Sequence, residues 1–91
     1  MLRPERPGLS LARIAERYLA MLAESPDELM RFMGETGLSP DDLRGAVGTD
    51  ALDTGLVDHL VANEPALLAL CANSGWRPED VMRIWHLNNH G

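Results

Sequence analysis

The apolar residues of this chain recur at three- and four-residue intervals and are cut into short runs by repeated Ser/Pro/acid starts and Gly stops. From Leu11 the stripe runs through Ile14, Ala15, Tyr18, Leu19 and Leu22, which lie on one face of an α-helix. Ser10 stands where it can cap that helix. At Ser25-Pro26-Asp27-Glu28 the pattern restarts: Ser25 is placed to cap, Pro26 suits the first helical position, and Glu28 completes a capping box. A second helix carrying Leu29, Met30, Phe32 and Met33 is expected to stop at Gly37, in the left-handed conformation glycine adopts without strain. Ser39 caps again, and Pro40-Asp41-Asp42 opens a short third helix with Leu43 and Val47, ended by Gly48.

This punctuation recurs 38 residues later, where Leu60, Leu67, Gly75, Pro78 and Asp80 repeat Leu22, Leu29, Gly37, Pro40 and Asp42. Helices are therefore expected at about 50–62, 64–74 and 78–87, mirroring the first three. Composition agrees: 15 Leu and 10 Ala stand against nine Val, Ile and Thr combined, a balance that favours helices over strands. The fold class that follows is all-α, a compact bundle of about six short helices built as a pseudo-repeat of two three-helix units. A single domain is expected over residues 9–87. A flexible arm at 1–8, broken by Pro4, Pro7 and Gly8, precedes it, and a frayed tail at 88–91 follows.

The two halves are not equal. Arg77 replaces Ser39 and supplies no side-chain cap, so Trp76, Val81, Ile84 and Trp85 are expected to compensate by burying apolar area. Gly55 interrupts the fourth helix, which implies either a close neighbour or a bend there.

The segments Leu29–Met33, Thr36–Arg44, Leu56–Glu64 and Gly75–Val81 together resemble, in order and spacing, a family of small helical bacterial proteins known as domain of unknown function 3572. The resemblance implies an all-helical fold and assigns no activity, cofactor or site residue. The chain departs from the family's usual pattern at His59, where an apolar aromatic is typical, at Asn63 in place of Asp, and at Trp76 in place of Leu.

Charge limits the partners. The chain carries eight Arg, no Lys and fourteen acids, for a net −6. Residues 1–17 hold four Arg and two Glu, so the remainder stands at −8. The Thr36-Gly37-Leu38-Ser39-Pro40 turn invites a helix-turn-helix reading, the alternative function weighed here. Its recognition helix would open on Asp41-Asp42, and the second copy on Glu79-Asp80, where DNA phosphates need positive charge. Acids at helix starts are explained by the helix dipole alone.

Other chemistry is sparse. His86 and His90 share a helix face without a third ligand, and no metal, cofactor or catalytic residue is assigned. His59, among Leu56, Val57, Leu60 and Val61, is expected to be partly buried and bonded to a backbone or Asp partner; a pH switch is the sharper alternative. Cys71 reads as a small buried hydrophobe, and a lone cysteine suits a reducing, cytoplasmic location. Asp50, Asp53 and Asp58 lack the patterned partners of catalytic or calcium sites, so no enzyme is expected. Met21, Met30, Met33 and Met82 either fill the core or line a groove suited to a basic, amphipathic helix or a second copy of the chain. The expected function is a small non-enzymatic interaction or regulatory module, with Asp58, Met30, Met33 and Trp85 as its partner surface.

Overall fold

The computed structural model describes residues 9–90, so the expected arm at 1–8 lies outside the described residues. Six helices follow one another: α1 (Leu11–Ala23), α2 (Pro26–Thr36), α3 (Pro40–Ala46), α4 (Asp50–Val61), α5 (Glu64–Ser74) and α6 (Pro78–His90). No strand occurs among the described residues. Helix starts are fixed largely by side chains. Ser10 Oγ accepts from Arg13 N at 3.1 Å, Thr49 Oγ1 from Leu52 N at 3.3 Å, and Asn63 Oδ1 from Ala66 N at 3.4 Å. At α3 the box is reciprocal: Asp42 N donates to Ser39 Oγ at 3.0 Å, and Ser39 N donates to Asp42 Oδ2 at 3.2 Å.

The box expected at Ser25 and Glu28 does not form. Ser25 occupies the cap position of α2 but makes no side-chain bond, and Pro26 alone sets the helical entry. The three glycine stops behave as expected, with Gly37 at φ 78°, Gly48 at φ 91° and Gly75 at φ 73°. α6 continues to His90 instead of ending at 87, with Asn89 Nδ2 donating to the Trp85 carbonyl at 2.9 Å.

α1 and α4 form the central pair. Ile14, Ala15, Tyr18 and Leu22 face Leu52, Leu56, Val57 and Leu60 in one continuous core, closed by Phe32, Leu43, Leu67, Leu70, Cys71 and Val81. α1 also touches α2, α5 and α6, while α3 rests on α4. Burial follows the 38-residue interval at Ile14/Leu52, Tyr18/Leu56, Leu22/Leu60, Phe32/Leu70 and Leu43/Val81. The halves nevertheless differ in length, α3 having 7 residues and α6 having 13. Val81 is fully buried, whereas Trp76, Ile84 and Trp85 are half-buried against the core. At Gly55 no heavy atom lies within 4 Å of where a Cβ would stand, so the close-neighbour explanation does not hold.

Candidate functional site

Three helices each contribute one polar side chain to a single linked group. Tyr18 comes from α1, Glu35 from α2 and His59 from α4. The Tyr18 hydroxyl lies 2.8 Å from His59 Nδ1, and His59 Nε2 lies 2.7 Å from Glu35 Oε1. The imidazole side chain is 11 % exposed and Glu35 is 58 % exposed, so the chain of bonds runs from the core to solvent. Phe32 meets the imidazole edge-on at 5.2 Å between centroids, and the Tyr18 ring lies nearly parallel to it at 6.0 Å.

An ionised carboxylate only accepts hydrogen bonds, so His59 Nε2 must carry a proton toward Glu35. In the neutral imidazole Nδ1 is then the acceptor, and the Tyr18 hydroxyl donates to it. Burial, followed by the nearby Glu28 and Glu35 carboxylates, pushes the Tyr18 pKa up to about 12. The carboxylate–imidazole–hydroxyl order is that of a nucleophile-activating relay. Here, however, the hydroxyl is phenolic, fully buried and held protonated, the opposite of what a nucleophile requires.

The expected partner of His59 was a backbone or Asp group; the structure supplies a tyrosine and a glutamate instead. Sequence reasoning placed Tyr18 in the core stripe and passed over Glu35. The three positions belong to separate helices 17 and 24 residues apart in sequence, and no periodicity links them.

Outside the exposed end of this group, α1, α2 and the α4–α5 corner border two adjoining open hollows of about 350 and 370 Å³. Arg31, Asn63 and Pro65 line both. The first has Met21, Leu22 and Ala66 in its wall and Glu28 beside them, while the second is bounded by Glu35, His59 and Glu64. Arg31 is exposed and makes no salt bridge with a described residue.

Of the expected partner surface, Asp58 and Trp85 come together: Trp85 Nε1 donates to Asp58 Oδ1 at 2.7 Å, tying α6 to α4. Met30 and Met33 lie on α2. Met33 packs on the core with Met21 and Met82, and Met30 is 66 % exposed, so the four methionines divide between filling and surface. Cys71 is buried, and its thiol pKa is raised by burial first and then by Glu79 and Asp80. The carboxyl pKa of Asp53 is raised by burial and by Asp50. His86 meets Trp85 edge-on at 4.9 Å. No group of three metal-ligating side chains occurs among the described residues.

Fold and site together define a small all-helical protein in which hydrogen bonds from Tyr18 through His59 to Glu35 tie three helices together. Residues 11–89 match the model of the family described as protein of unknown function DUF3572, and the chain belongs to that family. No curated protein and no solved structure matches it.

Proposed function

We propose that the protein is a small non-enzymatic interaction or regulatory module that docks against another protein. The observation that carries this reading is the outer face of α5. Residues 65–76 form a run of twelve without a charge, in a chain of which 24 % is charged. Pro65, Leu68, Ala69 and Ala72 of that run are exposed, Leu68 by 49 %. A helix that is apolar on every side is ordinarily covered on every side. α5 has its inner face in the core and its outer face uncovered by the rest of the described chain.

A non-enzymatic role is supported by the state of the strongest nucleophile candidates, since the Tyr18 hydroxyl and the Cys71 thiol both have raised pKa values. The proposal places the protein in a bacterial cytoplasm, a location that the lone cysteine suits. Among the described residues no helix is long and apolar enough to cross a membrane.

Affinity capture from native extract, with and without nuclease, tests the reading when wild type is compared with Leu68→Glu. A protein retained by wild type after nuclease treatment and lost with the variant supports it. Capture that disappears with nuclease favours the helix-turn-helix alternative. Equal capture by both chains removes α5 as the docking face.

A further inference from the structure

The two adjoining hollows form one trough, bounded by α1 and α2 on one side and by the α4–α5 corner on the other. Met21, Leu22, Pro65 and Ala66 give it apolar walls. Three carboxylates, Glu28, Glu35 and Glu64, stand along its length, with Arg31 as the one cation in the lining. The chain as a whole is acidic, yet here the acids are not spread over a flat face. Glu28 borders the apolar hollow, and Glu35 and Glu64 the more polar one beside it, so an apolar seat and flanking carboxylates lie side by side, the arrangement that receives the apolar side of a helix while its flanking cations meet the rim.

We infer that this trough is the docking site for a cationic amphipathic segment of a partner protein, whose apolar face seats on Met21, Pro65 and Ala66 and whose Arg or Lys residues meet Glu28, Glu35 and Glu64. The occupant follows from charge complementarity. The lining has a net charge of −2, so a second copy of this acidic chain would bring like charge to it. An acidic or neutral segment would bring no cation to Glu28 and Glu64. Arg31 lies between the two hollows, so the cations of the occupant are divided to either side of it. The site of the occupant is set by rigid elements: Asn63 caps α5 beneath Pro65, and Glu35 is held by His59.

This assignment rests on the interaction reading and is tested independently of Leu68 on the outer face of α5. The probe is a fluorescently labelled Leu/Arg amphipathic helical peptide, with a Leu/Glu peptide of the same length as control, titrated with full-length protein by anisotropy. Wild type is expected to bind the Arg peptide, in a salt-sensitive manner, and not the Glu peptide. Glu28→Gln/Glu64→Gln is expected to weaken binding by about fivefold to tenfold. Glu16→Gln/Asp50→Asn removes the same charge elsewhere and is expected to leave affinity within about twofold of wild type.

Equal weakening by the two double variants would show attraction to net charge alone and would overturn the assignment, as would failure of wild type to bind. Tighter peptide binding by Arg3→Gln/Arg6→Gln than by Arg13→Gln/Arg44→Gln, which removes the same charge elsewhere, would show that the chain's own N-terminal segment competes for the trough, and would overturn assignment to a partner. Self-association abolished by the groove variant would give the trough to a second copy instead. Loss of peptide binding with Leu68-dependent capture intact would sink this inference while leaving the interaction module standing.

Discussion

At the scale of single residues, the molecule depends most on His59, because its imidazole satisfies a hydroxyl that water cannot reach. His59→Phe retains the ring contact with Phe32 but leaves the Tyr18 hydroxyl buried without an acceptor, at an expected cost of about 1–3 kcal/mol. Tyr18→Phe leaves Nδ1 unbonded on a side chain that is 11 % exposed and still held by Glu35, and is expected to cost less, about 0.5–1.5 kcal/mol. Denaturant unfolding of both single variants and the double variant measures the difference, and the double should cost less than the sum. Equal costs for the two singles would refute the burial argument. The same hydroxyl sets a pH limit. Its folded pKa, about 12, exceeds the ordinary tyrosine value of 10.0, so its contribution is complete below about pH 10 and is lost as pH rises through 12. Unfolding free energy measured across that range should fall in wild type and fall less in Tyr18→Phe. None of this was legible in the sequence beyond the expectation that His59 is partly buried. A hydrogen bond between helices depends on where three separate stripes meet, and a stripe records only which face turns inward.

At the scale of elements, the sequence was far more informative, because helix ends are decided by neighbours within four residues. Ser10, Ser39, Gly37 and Gly75 act as their local pattern requires. Ser25 does not. It has the right residue type and spacing, but its side chain makes no bond to the α2 backbone. The two serines therefore separate pattern from contribution. Ser39→Ala is expected to lose about 1 kcal/mol, while Ser25→Ala stays within about 0.5 kcal/mol of wild type. Thermal unfolding distinguishes them, and equal losses would mean that Ser25 caps in solution. Gly55→Ala should raise stability by up to about 1 kcal/mol, because the added methyl meets open space and the helix gains propensity. A destabilised variant would instead require a partner packed on that face of α4. The fraying expected after residue 87 followed from Asn88, Asn89 and Gly91 as weak helix formers. The Asn89 bond to the Trp85 carbonyl, one turn back, is a local feature that propensity alone does not contain.

For the whole molecule, the contrast lies between a core that satisfies its own surface and an α5 that does not. The charge pattern revealed this in part: the uncharged run from 65 to 76 can be read directly, but which side of it remains outside depends on packing against α1, α4 and α6. Leu68→Glu should alter monomer stability by less than about 0.5 kcal/mol, since it replaces an exposed side chain, while abolishing any contact made through that face. A large loss of stability would show that α5 is more enclosed than it is here. The expected partner surface divides for the same reason. Asp58 and Trp85 bond to each other, and Met33 turns inward, so Met30 is the member left open. Five buried positions recur at the 38-residue interval, while α3 has seven residues and α6 thirteen.

Cys71, the one cysteine in the sequence, is sealed inside α5 one turn before the left-handed Gly75, and this makes the fold its own clock. A protonated, enclosed thiol is inert toward a disulfide reagent, so modification must wait for the α5–α6 corner to open. With rapid closing, the labelling rate reports the fraction of time that corner is open, without any added probe. Gly75→Ala forces a side chain into φ 73°, and should speed labelling by about fivefold for each ~1 kcal/mol lost. A partner seated on the outer face of α5 would slow the same reaction, so one thiol can register occupancy of a surface that it does not touch.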